Sequence, residues 1–225
     1  MQSLRRRVER FWKEDRGLSI LLAFLAIVSF VAAPLAHSFP GGDTVLSLMV
    51  SLLFAAGAFV VTDRFRRGFA LAAVAMAPIA LEWVRRSHPT PGVRAAESAA
   101  SLLFIGILIA FVSRRVLKSG PVTVHQIVGA VAIYLLLGLG FGEAARVIDA
   151  LDPGAYSVPG TADNRIDLYY FSFVTLTTTG YGDIAPAHPL ARALAVLEAV
   201  TGQMFPAILI ARLVSQELMN RPQRD

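Results

Sequence analysis

Long apolar runs separated by short charged clusters dominate the chain. About 20 mostly apolar residues are enough for a helix to cross a bilayer. Six runs reach or approach that length: Leu18–Ala36, Thr44–Thr62, Gly68–Val84, Ala95–Ser113, Val122 to about Ala145, and Leu190 to about Val214. The third is short and contains Pro78, and the last two are long enough to tilt. Between the fifth and sixth lies a further apolar and aromatic stretch, Ile166–Thr177. As a helix it would be about 18 Å long, too short to cross.

Composition agrees with the bilayer as solvent. Of 225 residues 55% are hydrophobic and 16% charged, with mean hydropathy +0.59, whereas soluble domains carry roughly 25% charged residues. The same figures exclude disorder. The absence of cysteine excludes a disulfide scaffold and a thiolate metal site. The net charge of +5 falls in clusters between apolar runs, so membrane lipids, and not nucleic acid, are the expected surroundings.

Lysine and arginine near span ends set orientation. With the N-terminus inside, fifteen of the 21 basic residues fall on the cytoplasmic side and six outside. Both termini are therefore expected in the cytoplasm. The Arg85–Arg94 loop is a local exception, with Glu82 and Glu97 nearby. The first run, preceded by Arg5, Arg6, Arg7, Arg10, Lys13 and Arg16, reads as an uncleaved span. Residues 1–17 place Leu4, Val8, Phe11 and Trp12 at helical spacing among bases. They predict an amphipathic cytoplasmic segment, either lying on the leaflet or packed on the protein.

The stretch from Asn164 to Asp183 carries the chemistry. Asn164 and Asp167 have the spacing of a helix cap and its reciprocal partner. The prediction is a half-membrane helix entering from outside, its C-terminal end partly negative and favourable to a cation. Thr178-Thr179-Gly180-Tyr181-Gly182-Asp183 follows. Non-helical backbone at membrane depth survives only where protein buries it or it lines a water-filled path. Glycines at 180 and 182 admit positive φ without steric cost. Alternated with other residues, they let successive carbonyls turn to one side. A ring of such carbonyls can replace the hydration shell of a monovalent cation.

TTTGYGD resembles the selectivity-filter signature of potassium channels, TxGYGD, and the resemblance runs roughly from Val122 to Leu218. It implies that the backbone carbonyls of Thr178, Thr179, Gly180 and Tyr181 line the ion sites, with the Thr178 hydroxyl adding the innermost ligands. Gly182 would let the strand exit, and Asp183 would sit at the outer mouth. Tyr170 and Phe171 stand where the family places an aromatic cuff. Val174 stands where some bacterial members carry a glutamate behind the filter. Gly202 and Pro206 resemble the hinge of the family's inner helix. One filter segment per chain implies a homotetramer, with K⁺ the permeant ion and no cofactor.

Six spans with a pore between the last two also resemble the voltage-gated layout, but Ser98–Val112 contains no charge. Each charge crossing the field is worth about 2.3 kcal/mol per 100 mV, so a strong sensor is not expected. The chain divides into residues 1–17, a degenerate sensor-like bundle of four spans over 18–120, a pore domain over 121–218, and a short cytoplasmic tail over 219–225. The fold class is all-α integral membrane: a four-helix N-terminal bundle, then a two-helix pore domain with a re-entrant pore helix and filter. Seven residues after Leu218 leave no room in this sequence for a regulatory domain, so gating is expected from the membrane part, lipids, ions or a regulatory partner.

His188 and His125 read as ordinary loop and helix-start residues. Glu143 and Glu198 read as capping or intersubunit groups. No pair suits nucleophilic or acid–base catalysis, so no enzyme is expected. The sequence thus predicts a passive, potassium-selective channel in a prokaryotic inner membrane that is not strongly voltage-gated. The alternatives are a non-conducting subunit that keeps the pore fold and a less selective cation channel.

Overall fold

A computed structural model describes residues 19–32, 49, 52–53, 65–116, 123–157 and 164–219. The expected segment 1–17, most of the second run and the tail lie outside the described residues, as does the side chain of His125. The helices are α1 (Ser19–Val31), α2 (Phe65–Ser87), α3 (Pro91–Val116), α4 (Val124–Leu151), α5 (Asn164–Leu176) and α6 (Pro189–Met219). The last turn of α1 widens to π geometry over Val28–Ala32. Among the described residues three helices are long and apolar enough to cross a membrane: Pro91–Arg114, Gln126–Leu151 and Pro189–Gln216.

The all-α expectation omits one small feature. Two-residue strands β1 (Tyr156–Ser157) and β2 (Ala185–Pro186) pair antiparallel, with Tyr156 opposite Pro186. This ribbon ties the turn after α4 to the segment that follows TTTGYGD. Ala155 O strengthens it by accepting from Ala187 N at 2.8 Å and His188 N at 3.2 Å.

Local signals fix the helix starts. Thr90 Oγ1 accepts from Val93 N at 3.3 Å, and Pro91 opens α3 where its missing N–H costs nothing. Gln126 Oε1 accepts from Thr123 N at 3.2 Å, the return half of a capping box on α4. Leu190 N donates to His188 Nδ1 at 3.2 Å, so His188 caps α6 ahead of Pro189. α4 continues six residues past the expected Ala145, to Leu151. α2 runs through Pro78, and α6 through Gly202 and Pro206. Asn164 is the first residue of α5 and does not precede it, whereas Asp167 lies in the first turn, where the helix dipole favours an acid.

One apolar core joins Leu21 and Leu25 of α1, Leu53, Phe104, Ile105, Leu108 and Val112 of α3, and Ile133, Leu136 and Leu139 of α4. α3 therefore packs directly on α4, and α2 packs on α3. A second core holds Ala145, Tyr156, Leu168, Phe171, Ile184 and Ala191. α5 lies tightly on α4 through two glycines one turn apart. A Cβ on Gly138 would stand 2.5 Å from the Phe173 ring, and one on Gly142 would stand 2.5 Å from the Tyr169 ring. Spacing of four on both helices matches the two rings to the two gaps. α6 differs from the rest. Only 11% of its apolar stretch is buried within the chain, against 61% for α4, so most of its apolar surface is left for lipid or other chains.

Candidate functional site

Beyond Leu176 the backbone turns at Thr177 and Thr178 and leaves helical geometry. Positive φ occurs at Thr178 (57°), Gly180 (59°) and Gly182 (78°). Every second residue thus enters the left-handed region, an alternation that lets successive carbonyls face one side. Gly180 and Gly182 do so freely. Thr178 does so against a penalty of about 1–2 kcal/mol for a residue with a Cβ.

Hydrogen bonds to the end of α5 hold this conformation. Thr178 N donates to Thr175 O at 2.9 Å, and Thr179 N and Gly180 N both donate to Val174 O, at 2.9 and 3.3 Å. Phe173 O accepts from Thr177 N at 3.0 Å and from Thr177 Oγ1 at 2.7 Å. The Thr177 and Thr179 hydroxyls lie 2.9 Å apart. The carbonyls left over at the helix terminus are thereby met by the loop that follows.

Elements behind the loop fix it from the other side. Leu176 is fully buried, and its carbonyl accepts from the Tyr134 hydroxyl of α4 at 3.2 Å. Gly202 of α6 passes the same residue so closely that a Cβ would fall 1.8 Å from Leu176 O. Tyr134 also meets Phe205 with ring centroids 6.0 Å apart. Phe171 packs edge-on against Tyr156 at 5.3 Å. Tyr170, 40% exposed, brings its hydroxyl to the Asp183 carboxylate. Val174 supplies the carbonyl described above. Residues 177–183 are all exposed on the single chain, Tyr181 at 71%.

Two buried polar groups flank α5. Ser172 Oγ donates to Gly138 O at 2.6 Å and lies 2.5 Å from Glu198 Oε1. Ser172 and Glu198 are both about fully buried. Nearer the helix start, Arg146 Nη1 donates to Glu143 Oε2 at 2.7 Å and to the Tyr169 hydroxyl at 3.3 Å. That hydroxyl in turn donates to Glu143 Oε1. Arg146 Nη2 reaches Glu97 Oε1 at 3.4 Å, Glu97 pairs with Arg85 Nε at 2.9 Å, and Arg85 Nη2 pairs with Glu82 Oε1 at 2.8 Å. Glu143 and Glu198 are thus engaged by side chains of their own chain. The acids near the Arg85–Arg94 loop neutralise Arg85 directly.

Outside the spans, burial and the nearby Asp149 carboxylate push the Tyr156 phenol up, keeping it neutral. His188 Nε2 stands 3.7 Å from Asp152 Oδ2 while its Nδ1 serves the α6 cap. Among the described residues no group of acids and histidines could hold a metal by side chains.

Sequence reasoning missed the left-handed Thr178, the Ser172–Glu198 contact and the Arg146 network. Apart from the Glu143–Arg146 pair, the Ser172 and Arg146 contacts with Glu198, Tyr169 and Glu97 join residues 23 to 49 positions apart, and single-chain periodicity carries no such signal. The Gly138/Gly142 spacing, by contrast, was present in the sequence as a small-xxx-small pattern.

Residues 130–217 match a family described as "Ion channel". The chain is 42% identical over 60 residues to "Two-pore potassium channel 4" of Arabidopsis thaliana, covering 26% of this chain and 21% of that protein. It is 37% identical over 86 residues to "Two pore potassium channel c" of Oryza sativa subsp. japonica, covering 38% and 17%. It is 33% identical over 94 residues to "Inward rectifier potassium channel Kirbac3.1" of Paramagnetospirillum magnetotacticum, covering 40% and 28%. The chain thus spans between about a sixth and just over a quarter of these relatives' lengths. No solved structure matches. The stretch from within α4 to near the end of α6, with TTTGYGD at its centre, is the part of this chain that is similar to ion channels.

Proposed function

We propose that the chain is one subunit of a potassium-selective channel, with four copies arranged around the segment 178–183. The observation that carries this reading is the alternating positive φ at Thr178, Gly180 and Gly182. Four such segments would line a path with the carbonyls of Thr178, Thr179, Gly180 and Tyr181. The Thr178 hydroxyl would face the inner end and Asp183 the outer mouth. Carbonyl rings of this kind substitute for the water shell of a permeant ion. Three potassium channels among the relatives support K⁺ as that ion.

The exposed filter segment and the bare apolar surface of α6 support self-assembly, because neither is covered within one chain. Tyr170 and Phe171 would steady the filter from the pore helix, and Gly202 and Pro206 would shape the inner helix. The bundle over residues 18–120 would place the pore without acting as a steep sensor. The protein would lie in a prokaryotic inner membrane with both termini cytoplasmic, conducting passively.

Potassium flux into liposomes carrying the purified protein tests the reading, together with native mass in mild detergent. K⁺ uptake down its gradient and a mass of four chains are expected. Tetramers that pass no K⁺ would favour a non-conducting subunit, and a monomer that lipid does not assemble would remove the pore altogether.

A further inference from the structure

Ser172 Oγ touches two oxygens but has one proton to give. Gly138 O, 2.6 Å away, is a carbonyl and carries no proton, so the serine proton belongs to that contact. The second contact, 2.5 Å to Glu198 Oε1, then needs its proton from the glutamate. Two bare acceptors do not approach so closely. The surroundings agree. Glu198 is 1% exposed, and Ser172 is fully buried. Among the described residues, the ionisable groups facing this place are Tyr156 from β1 and Asp149 from α4, neither of them a cation. A buried carboxylate without a cation is costly, whereas a buried carboxylic acid that donates one good hydrogen bond is not.

We propose that Glu198 is a neutral carboxylic acid and a positioning residue, whose proton bolts the inner helix to the pore helix behind the filter. The chain of donation runs from Glu198 of α6 to Ser172 of α5 to Gly138 of α4, so three helices share one line of hydrogen bonds. Ser172 lies one turn before Leu176, the residue that Gly202 of the same inner helix presses. The pore helix is therefore clamped to α6 at two successive turns, once by a proton and once by steric contact. Loss of the proton would turn the serine hydroxyl toward the new carboxylate and release Gly138, and the start of the filter would lose its register. As pH rises, conduction should therefore become less selective.

The role in the filter rests on the channel reading; the protonation does not. The test uses the full-length protein in lipid, comparing wild type with Glu198→Gln, Glu198→Ala and Ser172→Ala. Glutamine is neutral and keeps a donor for Ser172. Glu198→Gln should hold the K⁺/Na⁺ permeability ratio within about twofold of wild type and make it independent of pH. Glu198→Ala should lower the ratio by roughly tenfold, the scale of a buried polar partner left unmet, and Ser172→Ala should lower it comparably. Infrared spectroscopy should find a protonated carboxylic-acid carbonyl band at neutral pH in wild type that is absent from Glu198→Gln. The proposal is overturned if Glu198→Gln behaves as Glu198→Ala does, or if the two infrared spectra do not differ in that band. If wild type passes no K⁺, the channel reading fails, while the infrared band still decides the state of Glu198.

Discussion

Gly202 of α6 and Leu176 at the end of α5 approach so closely that no Cβ fits between them: it would lie 1.8 Å from the leucine carbonyl oxygen. The obstacle is backbone, which cannot swing aside as a side chain can. Gly202→Ala should therefore displace one helix or the other and destabilise the protein by about 3 kcal/mol or more, the upper end for overpacking. Gly106 is the contrasting position, a helical glycine with open space around its Cα. Gly106→Ala should stabilise α3 by about 0.5–1 kcal/mol. Thermal unfolding of the two variants beside wild type checks both signs at once, and equal effects would contradict the packing described.

Arg146 sits among Glu97, Glu143 and Tyr169 with only 8% of its surface exposed. Glu97 also pairs with Arg85, so Arg146→Met should leave Glu143 as the buried acid without a cation and destabilise by about 3–5 kcal/mol. The double variant Glu143→Gln, Arg146→Met removes both charges together and should recover most of that loss. The midpoint of thermal unfolding in detergent measures each step. A double variant no better than the single one would show that the arginine acts by shape and not by charge balance.

The helices meet in ways that the linear pattern could not announce. Apolar run length was enough to anticipate α3, α4 and α6 to within a few residues at most ends, because crossing a bilayer imposes a length. The short α5 was legible for the opposite reason, being too short to cross. Gly180 and Gly182 were expected at positive φ and are found there. Thr178 was not expected there, since only its bonds to the helix end make a left-handed threonine tolerable. Thr90 and His188 were passed over as caps because each lies in a loop of unremarkable composition. Glu198 was visible as an acid in an apolar helix, but its partner Ser172 is 26 residues away and on another element. Hydrophobic periodicity identifies which residues are buried, not which neighbour each one meets.

Opening should depend only weakly on voltage. α3 carries no charge between Ser98 and Val112, and its interior serines Ser98 and Ser101 are buried. Each elementary charge moved through the field would supply about 2.3 kcal/mol per 100 mV, and that stretch supplies none. A conductance–voltage relation in planar bilayers with symmetric K⁺ should be shallow. A slope equivalent to several charges, abolished by neutralising Arg114 and Arg115, would require a moving sensor that this helix does not offer.

Selection of K⁺ by the backbone geometry of residues 178–182, as proposed, is tested most directly by the reversal potential of the reconstituted protein with K⁺ on one side of a bilayer and Na⁺ on the other. The reversal should lie far from zero, on the side set by K⁺, and shift toward zero when Tyr181 is replaced by a small residue. A wild-type reversal near zero, with Na⁺ carrying comparable current, would contradict it.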